Sequence, residues 1–370
     1  MDSYMKILTT CDYEMDYLGS GILVGLHESG HDIYELPIIG HIRGRADDNY
    51  YLSDGAKGFT GVPGHLQLNP LPEYIHTEEE LWDTYKDFDL VVMTSYRRYS
   101  VDALYKIKEK MGSFPERLVI VDGEDHPVIE QGMVREWKPI AYFKRELLKE
   151  THGFRVLSRS VEGTPIFPCP FAAFTRGYPD INDQEKDYDL FLALGMTYDA
   201  RQTLLAKFLE TWEETEVEAL ICANNDNPLR ESHPLGKYLH QMLGYSEYIV
   251  KQARAKLSAS MRGFGRDTLN FWEKMSFETL CLWNDPGIVI PYPPIPNKHV
   301  VEFEESCTDI PRLIKYYLDP IHEEERKAIA RAGKAWLRAY HTTERRASYL
   351  LGISQKIISG EKIDMEEFGL

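Results

Sequence analysis

The chain has 370 residues, 43% hydrophobic and 12% aromatic, which excludes a disordered protein and suffices for two domains of ordinary size. A formal net charge of −17 argues against a generic nucleic-acid binder, because phosphate would be repelled over most of the surface, although a local basic pocket stays compatible with it. The five cysteines, Cys11, Cys169, Cys222, Cys281 and Cys307, are scattered without a CxxC pair, as in a reducing compartment and without a zinc signature.

No basic leader with an apolar run opens the chain, and no stretch approaches about 18 uninterrupted apolar residues. These features predict a soluble, cytoplasmic protein without a membrane span. Met5 to Thr10 predicts a strand, followed by a polar loop from Cys11 through Gly19, Ser20 and Gly21, then a helix and a second strand at His31 to Pro37. Strand, glycine turn, helix and strand in that order begin a parallel α/β sheet, whose ligands bind at the carboxyl ends of the strands. Asp12, Glu14 and Asp16 in this loop are candidate polar contacts, or simply solvated acids.

Gly40 to Glu73 is rich in Gly, Pro, Asp and Asn and reads as a long excursion, mobile or folded over a site. Asp87 to Ser95 is a buried parallel strand. Its Asp87 and Asp89 stand before the strand, where acids mark a solvated entrance and do not form a metal motif. Arg117 to Asp122 is the next strand, ending in Asp122, Gly123, Glu124, Asp125 and His126. A general base can act from such a strand end, and a polar turn capped by Asp122 is the competing reading. Lys144, Arg145 and Glu146 follow an aromatic pair and can coat a helix.

A Pro- and Phe-rich segment, Phe154 to Asp187, marks a domain crossover. From Tyr188 the strand–glycine–helix order repeats, so the chain holds two α/β halves. Arg201 stands at the start of the second half's first helix, either facing a cleft or solvated. Leu257 to Asn284 then reads as a strand end, a loop with Gly263 and Gly265, and a helix capped by Asp267 or Thr268. Free N–H groups, a positive dipole end and the charges of Arg262 and Arg266 suit a phosphate there. Glu273 lies roughly 7.5 Å further along such a helix, resembling the span from a diphosphate to a ribose. A glycine before an ordinary helix, with Arg266 and Glu273 as a solvated pair, explains the same residues.

The ordered segments RGFGRDTLNFWEKMSFETL, VEFEESCTDIPRLIKYYLD and EEERKAIARAGKAWLRAYHTTERRASYLL resemble the C-terminal domain of GT-B glycosyltransferases, most closely the spore-maturation CgeB-like branch. The resemblance covers residues 188 to 351, and the N-terminal half fits by architecture. It implies two facing Rossmann-like domains with parallel sheets and a cleft between them. Residues 1–170 would form the acceptor side, 171–351 the donor side, and 352–370 a tail packing back on the first domain. It further implies that Gly263, Gly265, Arg266, Asp267 and Thr268, with Arg201, hold the donor diphosphate and that Glu273 holds its ribose. Arg266 would support the departing diphosphate, and Asp122 or His126 would deprotonate a hydroxyl acceptor entering past Gly19 to Gly21.

The co-substrate implied is a nucleotide-diphosphate sugar, foremost a UDP-sugar, with no bound cofactor and no metal. The acceptor is a carbohydrate or other hydroxyl compound, not nucleic acid. Retaining members often carry a glutamate eight positions before the ribose glutamate, and that position here is Gly265. Three alternatives remain: a degenerate GT-B protein serving as scaffold or sensor, another two-domain enzyme such as an epimerase or phosphorylase, and a transferase acting on modified DNA.

Overall fold

The computed structural model describes residues 4–12, 16–38, 71–72, 74–149, 160–181, 186–195, 198–215, 217–224 and 226–370. Glu14 and nearly all of the Gly40 to Glu73 excursion lie outside the described residues. The chain forms two compact units. Unit 1 comprises Met1–Phe174, Gly287–Tyr292 and His341–Leu370, and unit 2 comprises Thr175–Pro286 and Pro293–Tyr340.

Unit 1 is built on β1 (Lys6–Thr10), α1 (Tyr17–Glu28), β2 (Asp32–Leu36), α2 (Glu78–Thr84), β3 (Leu90–Met93), α3 (Arg98–Met111), β4 (Leu118–Asp122), α4 (Gln131–Trp137), β5 (Ala141–Lys144), β6 (Ser160–Val161) and β7 (Thr164–Pro168). Its sheet has the order β2-β1-β3-β4-β5-β7-β6, parallel except for the β6–β7 pair. The four residues of β3 and the five of β4 are all buried, as expected for strands covered on both faces.

Unit 2 contains β8 (Tyr188–Leu194), α5 (Ala200–Thr215), β9 (Ala219–Ala223), α6 (Tyr245–Ala253), β10 (Ala255–Ser260), α7 (Leu269–Met275), β11 (Leu280–Trp283), β12 (Val301–Glu302), α8 (Ile310–Leu318) and α9 (Glu323–Tyr340). Its sheet is wholly parallel in the order β12-β11-β10-β8-β9. Each unit therefore has the strand–helix–strand grammar expected of a Rossmann-like half.

The last helix, α10 (Thr343–Ser359), belongs to unit 1 and packs on α1. The chain thus re-enters the first unit briefly at Gly287–Tyr292 and finally at His341, before residue 352. Gly25 makes the helix contact possible: a Cβ there would stand 2.1 Å from the carbonyl oxygen of Thr343. One further expectation fails. Lys144, Arg145 and Glu146 do not coat a helix; Lys144 ends β5, and all three are buried at 0%, 4% and 1% exposure. Gly287 to Pro296 forms no ladder strand, only isolated bridges such as Leu148 with Ile288.

Candidate functional site

The glycine loop sits at the carboxyl end of β10, where its strand context puts it, but its geometry differs from a phosphate cradle on a long helix. α7 has seven residues and ends at Met275, because the chain must turn at Ser276 to enter β11 at Leu280. So short a helix aligns few peptide dipoles, which weakens the dipole argument. Neither Gly263 nor Gly265 is among the described glycines with a left-handed φ. Thr268 occupies the N-cap position without a side-chain cap bond; its hydroxyl lies 3.4 Å from that of Ser260. Asp267 Oδ1 accepts from Trp272 Nε1 at 2.8 Å, which pins the loop to the buried indole.

The cations divide into two kinds. Arg201 is 7% exposed and donates to three backbone carbonyls: Arg262 at 2.9 Å, Gly195 at 2.8 Å and Met261 at 2.9 Å. Burial lowers its pKa to about 10, so it keeps its charge at neutral pH. This arginine ties the end of β8 to the end of β10, a role that helix-start position alone did not reveal. Arg262 and Arg266 lie on the loop itself. The Arg262 guanidinium covers the Tyr198 ring at 4.5 Å, and its buried Nε has no hydrogen-bond partner among the described residues. Arg266 Nη1 donates to the Pro286 carbonyl at 2.9 Å. Phe264 between them is 75% exposed.

Glu273 is neither solvated nor paired with Arg266. It is 5% exposed, its Oε1 accepts from the Tyr245 hydroxyl at 2.8 Å, and its Oε2 accepts from the Tyr248 hydroxyl at 3.0 Å. Tyr178 extends the network to Tyr245 at 2.8 Å, and Asn270 Nδ2 donates to the Tyr248 oxygen at 2.7 Å. Burial raises the Glu273 pKa against the opposing pull of the two phenols. Beside it Lys274 is wholly buried, bonded to Asn270 Oδ1, and burial lowers its pKa to about 7. The tyrosines went unnoticed in the sequence, although three positions apart on a helix puts them on one face.

At the carboxyl edge of the unit 1 sheet, Gly19, Ser20 and Gly21 are not a loop. α1 begins at Tyr17, and the three residues are buried inside it. Asp16 is its N-cap, accepting from the Leu18 and Gly19 amides at 2.9 and 3.1 Å, a cap placed earlier than the glycines suggested. The glycines serve packing: a Cβ on Gly19 would meet the Thr94 carbonyl at 2.6 Å, and one on Gly21 the Phe174 ring at 3.3 Å. Burial raises the pKa of Asp16, with Arg97 and Arg145 pulling the other way.

Asp122 is fully buried, which removes it from the role of base. Its Oδ2 accepts from Lys144 Nζ at 2.7 Å and Tyr142 Oη at 2.6 Å, and its Oδ1 from the Glu124 amide at 3.0 Å. It locks β4 to β5. His126 is partly exposed, with Nε2 3.5 Å from the Tyr96 hydroxyl and a buried Nδ1 that has no partner among the described residues. Glu124 pairs with Arg97 at 3.0 Å, Asp125 with Arg145, and Asp12 accepts from the Tyr99 amide at 3.0 Å. Of the residues expected to act on an acceptor, His126 keeps a ring nitrogen that is unengaged among the described residues.

Among the described residues no group of three His, Cys, Asp or Glu is arranged to hold a metal ion, and no helix is long and apolar enough to cross a membrane.

The chain matches known proteins in fold and over one segment. Residues 272–352 match the family model described as glycosyl transferase-like. The structure resembles a glycosyltransferase from Rickettsia africae, with a TM-score of 0.58 and 10% identity, covering 98% of this chain and 100% of that one. It resembles a sucrose-phosphate synthase from Thermosynechococcus elongatus, with a TM-score of 0.57 and 11% identity over 96% and 100% of the chains. An α-glucosyltransferase in complex with UDP gives a TM-score of 0.59 and 11% identity over 95% and 100%. No curated protein matches the sequence. The fold is thus GT-B, with α/β units built on parallel-dominated sheets.

Proposed function

We propose that this protein is a metal-independent glycosyltransferase, cytoplasmic and CgeB-like, which moves a sugar from a nucleoside diphosphate, foremost UDP, to a hydroxyl acceptor. The observation that carries the reading is the coincidence of two results. The GT-B fold extends over at least 95% of the chain, and the glycosyl transferase-like segment begins beside Glu273. Fold alone would not specify chemistry. The cationic loop supports it: Arg262 and Arg266 at the carboxyl end of β10 can offset the charge of a departing diphosphate.

In this reading the acceptor oxygen attacks the anomeric carbon while the bond from that carbon to the diphosphate breaks. The diphosphate leaves with the electron pair beside Arg266 and Arg262, with Gly263, Gly265, Asp267 and Thr268 shaping its loop. The acceptor proton goes to a base, for which His126 is the remaining candidate and Asp122 is withdrawn. Arg201 holds the loop in place and does not touch donor. Glu273 would take the ribose by exchanging its tyrosine hydrogen bonds for those of the ribose hydroxyls.

A second reading rests on that same carboxylate. Both Glu273 oxygens are engaged by phenols, and Gly265 stands where retaining members carry a glutamate, so a degenerate GT-B scaffold or sensor would look like this. An α-glucosyltransferase of similar fold is described with UDP and a 13-mer DNA containing a HMU base. The charge of −17 disfavours DNA as the acceptor here.

The deciding experiment is a thermal-shift panel of UDP, GDP, ADP, CDP and dTDP, on wild type and Arg266→Ala. Saturation at about 100 times the dissociation constant adds roughly 2.7 kcal/mol of stability. A shift with UDP that the variant lacks, followed by release of UDP from a UDP-sugar, is the expected result. A shift without turnover on any donor would select the scaffold, and no shift at all would remove the donor site.

A further inference from the structure

We infer that unit 1 binds its acceptor in a pocket beyond the carboxyl end of β2, and that the acceptor is a neutral or cationic carbohydrate and not an anionic one. The word acceptor rests on the transferase reading above, whereas the pocket and its chemistry belong to unit 1 alone. The cavity measures about 420 Å³, within the usual range for small-ligand sites.

Its position follows from the fold. β2 ends at Leu36, and the chain leaves it through Pro37 and Ile38, while α3 begins beside it and contributes Tyr99, Asp102, Ala103 and Lys106. Leu36, Pro37 and Ala103 supply apolar lining, and Tyr74 and Tyr99 add aromatic surface. Both tyrosines are held in place. The Tyr74 oxygen accepts from the Glu35 amide at 2.8 Å, and the Tyr99 amide donates to Asp12 at 3.0 Å. A capping box of Thr77 and Glu80 fixes the first turn of α2, which brings Glu78 to the wall.

The polar groups decide the class of ligand. Lys106 is paired with Glu78, and Asp102, with 66% of its side chain exposed, has among the described residues only a long 3.9 Å contact to the exposed Arg98. The third acid in the lining, Glu35, has its side chain buried against His27 at 2.8 Å. Among the described residues the ligand therefore meets a carboxylate acceptor at Asp102 and an already neutralised pair at Glu78 and Lys106. Hydroxyl groups can donate to that carboxylate while the apolar face of a sugar ring lies on the tyrosines. An ammonium substituent gains a charge-assisted bond, and a carboxylate or phosphate is repelled.

The test uses the full chain and three probes: methyl glucoside, D-glucosamine and D-glucuronate, titrated by ligand-observed NMR with UDP binding measured in parallel. Glucosamine and methyl glucoside should bind, and glucuronate should bind about tenfold more weakly, the effect of one charged hydrogen bond. Asp102→Lys, a change at an exposed side chain, should reverse the order of glucosamine and glucuronate and leave UDP affinity unaltered. Tyr99→Ala should weaken all three sugars. If none of the sugars binds, or if Asp102→Lys leaves their order unchanged, the pocket assignment is wrong, whatever UDP does. If the sugars follow the expected order but UDP and the other nucleotides fail to bind, the pocket stands as a carbohydrate site and the transferase reading falls.

Discussion

The Oε2 atom of Glu273 accepts a hydrogen bond from the Tyr248 phenol at 3.0 Å, while its Oε1 takes the Tyr245 phenol at 2.8 Å. A buried carboxylate that loses one of its donors bears the desolvation cost of the missing bond. Tyr248→Phe should cost about 1–3 kcal/mol, read as a fall of several degrees in Tm. Tyr245→Phe should cost less if Tyr178 shifts to replace it. Unchanged stability in Tyr248→Phe would mean that this bond contributes nothing to the fold.

Asp122 and Lys144 form a fully buried ion pair at 2.7 Å. Removing one partner strands the other charge, so Asp122→Ala should destabilise unit 1 by about 3–5 kcal/mol. Replacing both, as in Asp122→Leu with Lys144→Met, should restore much of that loss. Urea denaturation of the three proteins tests this. A well-folded Asp122→Ala protein that lost turnover alone would return Asp122 to the chemistry.

Lys274 makes stability depend on pH. Burial holds its folded pKa at about 7, against 10.5 for an ordinary lysine. Between those values the unfolded chain binds the extra proton, so stability rises with pH across the window and is lowest below about 7. Lys274→Met should remove this slope and raise stability at pH 6 by on the order of a few kcal/mol. Parallel curves for the two proteins from pH 6 to 10 would contradict a buried, neutral lysine.

Arg201 connects three backbone carbonyls from the ends of β8 and β10. Lysine has neither the planar fork nor enough reach to serve all three. Arg201→Lys should therefore lower Tm by several degrees, consistent with roughly 2–3 kcal/mol. UDP affinity should fall with it only through loosening of the loop, and excess ligand should recover part of the Tm.

Gly25 sits where α1 meets α10. A Cβ there would come within 2.1 Å of the Thr343 carbonyl oxygen and 3.0 Å of the Ala347 methyl. Backbone cannot yield as a side chain would, so Gly25→Ala should cost about 3 kcal/mol despite alanine's better helix propensity. A Tm equal to wild type would show that the helices separate freely.

The N-terminal glycines show why some of the site was illegible. Gly19 and Gly21 stand next to a predicted turn, and local sequence cannot distinguish a loop glycine from one required by a neighbouring backbone. Their neighbours, Thr94 and Phe174, lie far away in the chain. Asp122 is a similar case. An acid at a strand end has the same local pattern whether it faces substrate or, as here, a lysine on the next strand.

Sequence alone determined the two α/β halves, because strand and helix periodicity record which faces are buried. It also carried the glycine loop at the end of β10 and the resemblance that pointed to a GT-B fold. Tertiary structure decided which polar groups are engaged: Arg201 on carbonyls, Glu273 under two tyrosines, Asp122 on Lys144. The physical reason is that burial of a charge requires partners, and those partners come from strands and helices distant in sequence but adjacent in the sheet.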